Sequence, residues 1–131
     1  MSTSLIPDSH ADLLERPLLC HLATVSQGGR PQSNPMWFLW DGQQLRFTHT
    51  NTRRKFRQLA DNPHLAISVV DPATPSRYIE VRATVDRIED DPTGAFYATL
   101  SDRYGRGGQP PADAPTRVLI SATPYHVTTM G

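Results

Sequence analysis

The sequence predicts a mainly β fold of the α+β type: a small antiparallel barrel of six strands with short helices between them. Three observations lead there. The segment YIEVRATVDRIE at 78–89 alternates strictly, with Ile79, Val81, Ala83 and Val85 on one face and Glu80, Arg82, Thr84 and Asp86 on the other. Asp41-Gly42 stands between two strand-like runs and carries the chemistry of a hairpin turn. Six strand-like runs, bounded by Gly, Pro or Asn, fit into 131 residues, which is the length of one domain spanning 1–131.

Each element has a local reason. Asp8 or Ser9 can cap a short helix carrying Ala11, Leu13 and Leu14, which Pro17 stops. LLCHLATV at 18–25 is a buried strand, and QGG at 27–29 turns the chain. PQSNPMWFLW at 31–40 is the second strand and LRFTHT at 45–50 the third. In TRRKFRQLADNP, Phe56, Leu59 and Ala60 lie at i, i+3 and i+4, one apolar stripe of a short helix that Asn62-Pro63 ends. HLAISVVD at 64–71 and the strand at 78–89 flank the loop PATPSR. A helix over 92–103 follows, with Pro92 early and Phe96, Tyr97 and Leu100 as its apolar face. The Gly/Pro-rich loop RYGRGGQPPADAPT at 103–116, with the character of a flexible loop or lid, leads to the last strand, TRVLISATPYHV.

Composition narrows the function classes. Thirteen Lys and Arg balance thirteen Asp and Glu, so no whole-chain attraction to nucleic acid or membrane follows, and functional charge must be local. The single cysteine, Cys20, lies in an apolar run, excludes an internal disulfide and suits a reducing cytoplasm. The N-terminus has no basic region followed by an apolar core, so a secretory signal is not expected. No run approaches the roughly 18 apolar residues of a membrane span.

The local charge is at HTNTRRKFRQ, where Arg53, Arg54, Lys55 and Arg57 fall within five residues. Cations in a first helical turn oppose the helix dipole. They become sensible where an anion sits at the helix end, held by free N–H groups and charged side chains. Thr48, Thr50, Asn51 and Thr52 add short donors just upstream. A solvated charge run is the bland alternative. A nucleic-acid patch is a third reading, set back because Phe56 belongs to the core stripe and no second basic segment continues the track.

The strand PQSNPMWFLW is the second informative piece. Pro35 cannot donate to a ladder and belongs at an edge, which leaves backbone groups for a ligand. Ser33 and Asn34 beside Met36 and Trp37 suit a flat heteroaromatic molecule that needs hydrogen bonds and an apolar wall. Trp40 reads as core or interface packing, while Trp37 fits either role. His10, His21, His49, His64 and His126 have no metal-ligand spacing, so no metal site is expected. His49 stands out because it immediately precedes the basic helix region. GRGG at 105–108 lacks the ending of a P-loop, and neither Ser26 nor Ser33 has the context of a catalytic nucleophile.

In order and spacing, residues 11–90 resemble the pyridoxamine 5'-phosphate oxidase-like, FMN-binding split-barrel superfamily. The match is carried by L-A-T-V ending the first strand, G-R-P-Q opening the second, T-x-T near the end of the third, R-x-K-x-x-Q-L-x-x-N-P in the helix, and YIEVRATVDRIED. The resemblance implies a six-stranded antiparallel split barrel and a homodimer with cofactor in clefts between subunits. It implies Arg53 and Lys55, with Arg54, as phosphate binders, Thr48 and Thr50 lining the site, and Ser33, Asn34, Pro35 and Met36 along the ring system. Tyr78 is the aromatic residue implied to reach the site from the partner chain.

Two departures point away from vitamin B6 oxidation: the second strand lacks a cation, and the tail SATPYHVTTMG lacks an arginine-histidine motif. The short chain, the P-x-W-F strand and the compact tail are more similar to the deazaflavin-dependent branch. That similarity implies an F420-dependent reductase passing hydride to a small hydrophobic or conjugated acceptor. An FMN-dependent oxidoreductase and a non-catalytic flavin or deazaflavin binder are the alternatives.

Overall fold

The alternating segment becomes the spine of the molecule. In the computed structural model, which describes residues 5–52 and 54–131 and only the backbone of 54 and 55, this strand runs from Thr74 to Asp90. The elements are α1 (Asp12–Glu15), β1 (Cys20–Val25), β2 (Pro31–Met36), β3 (Leu39–Trp40), β4 (Leu45–Thr50), α2 (Arg54–Asp61), β5 (His64–Asp71), β6 (Thr74–Asp90), α3 (Ala95–Arg103) and β7 (Arg117–Met130). The fold is mainly β, with few and short helices.

All strands join one antiparallel sheet in the order β2-β1-β5-β6-β7-β4-β3. This corrects the expected six-stranded barrel: the described residues form seven strands, and the sheet is open. The extra strand arises because 31–40 does not continue as one ladder. At Phe38 the N–H donates to Tyr104 Oη at 3.1 Å, and the C=O accepts from Arg103 Nε at 3.2 Å. The backbone therefore bonds to the end of α3 rather than to a strand, and β2 stops at Met36. Two residues then connect one sheet edge to the other. Three Cα steps span at most about 11 Å, so the sheet must curl until its edges approach at that corner. Pro35 lies on the edge strand β2, the place in a sheet where proline is tolerated.

Other boundaries shift for local reasons. PATPSR is a tight turn rather than a six-residue loop, because Asp71 already pairs with Thr74 across a register shift. Asp71 Oδ1 accepts the Ala73 N–H at 3.0 Å and closes that turn. Neither Asp8 nor Ser9 caps α1, whose N-cap position is Ala11. α3 begins at Ala95, after Gly94 at φ 69°, and Asp91 Oδ2 accepts the Phe96 N–H at 3.1 Å. Asp41-Gly42 does make the hairpin between β3 and β4, with Asp41 Oδ1 accepting from the N–H groups of Gln43 and Gln44.

One core cluster joins the sheet and the helices, with Leu13, Leu14, Leu22, Phe38, Phe47, Leu59, Ile67, Ile79 and Ile120 fully buried. Phe56 and Trp40 pack against it, whereas Ala60 is exposed, so the stripe on α2 is narrower than expected. Among the described residues no helix is long and apolar enough to cross a membrane.

Candidate functional site

The corner where β2 leaves the sheet faces the end of β4 across a cleft of about 660 Å³. Seven of the residues singled out from sequence line it: Asn34, Pro35, Met36 and Trp37 on one side, Thr48, His49 and Thr50 on the other. Ser33 is exposed and does not line the cleft, because alternation along β2 turns Gln32, Asn34 and Met36 inward. Tyr78 pairs with Val70 and Met130 and lies outside its own chain's cleft. The backbone of α2 starts at Arg54, as the basic-helix reading requires. Arg53, and the side chains of Arg54 and Lys55, lie outside the described residues.

The hydroxyl side is rigid. β4 is an interior strand, and Thr48, His49 and Thr50 pair with Leu119, Val118 and Arg117 of β7. Thr48 and Thr50 are buried, and Thr50 Oγ1 accepts from the Thr52 hydroxyl at 3.3 Å. His49 Nδ1 accepts the Thr50 N–H at 2.9 Å, which puts the proton of a neutral ring on Nε2.

The aromatic side comes from the break in β2. Trp37, released from the ladder, stacks on Tyr104 with ring centroids 5.2 Å apart and tilts against Tyr97 at 5.7 Å. Tyr104 is anchored in turn, its hydroxyl donating to the Leu18 carbonyl at 2.7 Å. Burial pushes this phenol's pKa up, so it stays protonated and keeps its role as donor. Tyr104, at the start of the 103–116 segment, thus braces Trp37, which lines the cleft.

Four lining residues were missed by the sequence reading: Leu19, Gln32, Tyr97 and Arg117. Tyr97 had the spacing of an apolar helix face, and Arg117 stood as an ordinary strand residue. No local pattern marks either. Gln32 could have been found by its alternation with Asn34 and Met36. Its Oε1 atom is buried with no hydrogen-bond partner among the described residues. An orphaned acceptor at a cleft costs stability unless a ligand donor satisfies it.

Arg57 points elsewhere than to this cleft. With Arg30, Gln58 and Asp61 it lines a second depression of about 460 Å³ beside the β1–β2 turn, and Gln32 borders both depressions. Gln58 is held there by the Thr24 hydroxyl, which donates to its Oε1 at 2.9 Å. Phe56, within the cationic run, packs inward rather than offering a stacking surface.

This cleft can hold a flat molecule with N–H groups on its edge. Its volume lies in the usual range for small-ligand sites, about 300–1,000 Å³. Leu19, Met36 and Trp37 offer apolar contact, while Gln32, Asn34 and two threonine hydroxyls offer hydrogen bonds.

Residues 6–131 match the family model described as pyridoxamine 5'-phosphate oxidase. Among solved structures, one titled F420 reductase is 53% identical, with a TM-score of 0.90, covering 94% of this chain and 98% of that one. General Stress Protein 26 from Bacillus anthracis is 22% identical with a TM-score of 0.67, covering 92% of this chain and 89% of that one. The haem storage protein HutZ from Vibrio cholerae is 18% identical with a TM-score of 0.68, covering 92% of both chains. The last two show the shared fold alone. Among curated proteins none matches.

Proposed function

This chain belongs to the pyridoxamine 5'-phosphate oxidase family, and on that premise we propose that it is an oxidoreductase using a flavin-type cofactor, F420 in first place. The observation that carries the F420 reading is the 53% identity, over nearly the whole of both chains, to a structure titled F420 reductase. The cleft supports it. Gln32 Oε1 lacks a donor that a deazaflavin edge would provide, and Met36 and Trp37 supply a wall for its rings. Asn34 and Pro35 would run along the ring system, with Ser33 at its margin. Thr48 and Thr50 would line the polar end, and Arg53, Arg54 and Lys55 would hold the phosphate at the start of α2.

When bound and reduced, such a cofactor supplies a hydride to a small conjugated or carbonyl-activated acceptor. This chain's contribution is to bind, orient and exclude water. Rigid β4 fixes the polar end, while Trp37, braced by Tyr104, keeps one face of the site dry. His49 lines the same wall, where its Nδ1 accepts the Thr50 N–H.

We also propose a homodimer that completes the site. Leu19 lines the cleft yet is 49% exposed, and Tyr78 lies outside its own cleft, as a partner-supplied residue would. Light scattering on the eluted protein should give twice the chain mass of 14.6 kDa. A monomer that binds cofactor fully would remove the partner-supplied Tyr78 from the site.

Titration with F420 and, separately, with FMN tests the cofactor, followed by absorbance. F420 binding, together with loss of reduced F420 on adding an enone, is the expected result. The second reading, an FMN enzyme of the same fold, is compatible with the family match. Firm FMN binding without F420 binding would establish that reading instead. Binding without turnover across a broad acceptor panel would make the protein a cofactor carrier.

A further inference from the structure

Arg117 is the one cation, among the described side chains, that lines the main cleft. Its position is over-determined. Nε donates to Asp113 Oδ1 at 2.9 Å, Nη2 to Asp113 Oδ2 at 3.3 Å, and Nη1 reaches Thr48 Oγ1 at 3.5 Å. The guanidinium also lies 4.7 Å from the Tyr97 ring centroid. Its side chain is only 15% exposed. Five N–H donors less these three leave two without a partner among the described residues.

Asp113 stands at the end of the 103–116 segment, where its C=O accepts from the Thr116 N–H and hydroxyl, each at 2.9 Å. It therefore holds the arginine from outside while the arginine faces Thr48 inside. A charge-compensated guanidinium is a poor partner for a phosphate, which would meet the Asp113 carboxylate as well. It is a good partner for a neutral oxygen on which charge develops.

We propose that Arg117, set by Asp113 and Tyr97, is the residue that selects the acceptor: a flat, conjugated compound whose carbonyl oxygen receives the free guanidinium N–H groups. This rests on the oxidoreductase reading of the same cleft. Hydride addition to the β-carbon of a C=C–C=O acceptor delivers two electrons, and the C=C electron pair shifts to leave an enolate oxygen. The reduced deazaflavin or flavin is the electron source, and a solvent proton at the α-carbon completes the saturated ketone. Arg117 stabilises the oxygen as its charge grows, and no proton leaves the guanidinium.

Calorimetric titration of chromone, a flat conjugated ketone, against 4H-chromene, which lacks the carbonyl, tests this. Both ligands are measured on protein with oxidised F420 added and on protein alone. Wild type should prefer chromone by about tenfold or more, the scale of a hydrogen bond to a charged group. In Arg117→Met the preference should fall to within about threefold, while cofactor affinity changes by less than that factor. In Asp113→Asn the uncompensated cation should turn the site towards anions, so 4-hydroxybenzoate gains affinity relative to chromone. A structural role alone would shift both ligands together and leave the ratio unchanged. An unchanged ratio in a folded Arg117→Met protein, no preference or no binding in wild type, or an equal loss of cofactor affinity overturns the proposal. Failure of F420 to bind would remove the cofactor reading, yet the ligand ratio on protein alone still decides the role of Arg117.

Discussion

Lys55 shows how much a single residue can be asked to explain. It sits in the first turn of α2, a turn with no acidic residue, where a cation opposes the helix dipole. Lys55→Ala should weaken cofactor binding by roughly 1–3 kcal/mol, the worth of a charge-assisted hydrogen bond. Without cofactor the same variant should melt at or above the wild-type temperature. Unfolding with cofactor affinity intact would end the phosphate-site reading. Gly94 is a residue-scale constraint of another kind. Its φ of 69° disfavours any side chain, and a Cβ there would stand 2.6 Å from Pro111 Cδ. Gly94→Ala should cost about 1–3 kcal/mol in chemical denaturation, from backbone strain and the clash together.

Between elements, the most informative joint is Arg103. It closes α3 and reaches the end of α1, its Nη atoms donating to the carbonyls of Leu14, Glu15 and Arg16, while Nε donates to that of Phe38. One side chain thus satisfies carbonyls at a helix C-terminus and at the corner between β2 and β3. Arg103→Ala should destabilise by about 2–3 kcal/mol in urea titration. Because Tyr104 and Trp37 depend on the same corner, near-ultraviolet circular dichroism should lose aromatic signal before the sheet melts. Retained aromatic signal with unchanged stability would show that the corner holds without the arginine. These carbonyls are distant in sequence from position 103, so no motif announces the joint.

Across the whole molecule, the N-terminal segment is fastened to the sheet by a charge cluster. Arg77 of β6 donates to Asp12 at 2.6 Å, to Asp71 at 3.0 Å and to the Ser9 carbonyl at 2.7 Å. Arg16 adds a second cation beside both carboxylates. The hydrogen bond from Arg77 holds the Asp12 carboxyl below its usual 3.8, and the Ala73 N–H, with Arg77, does the same for Asp71. Carboxylates with depressed folded-state pKa values stabilise the fold above their unfolded values, and that stability is lost as pH falls. Urea midpoints should therefore hold down to about pH 5 and decline through 3.8 and below. Arg77→Met should lower the midpoint at pH 7 and flatten that acid decline. An acid limb of unchanged slope would place the titrating groups elsewhere.

Much of the architecture was legible because its signals are local. The alternation of 78–89, the Asp41-Gly42 turn, Pro35 at an edge and Phe56 in the core each follow from a few neighbouring residues, and so do Asn34, Met36 and Trp37 as cleft candidates. Periodicity reports which face of an element is apolar, and turn chemistry reports where the chain reverses. Neither reports what an element meets. The seventh strand exists because Tyr104 and Arg103 bond the backbone of Phe38, and the sheet stays open at that corner for the same reason. Tyr97, Arg117 and Asp113 come together with Thr48 only once β7 pairs with β4, joining residues 69 apart in the chain. The sequence by itself determined the class of fold, its family resemblance and the polar and aromatic character of β2. Tertiary structure alone decided the strand count, the cleft's second wall and the arginine that faces it, because long-range hydrogen bonds and ring stacking leave no periodic trace in the chain.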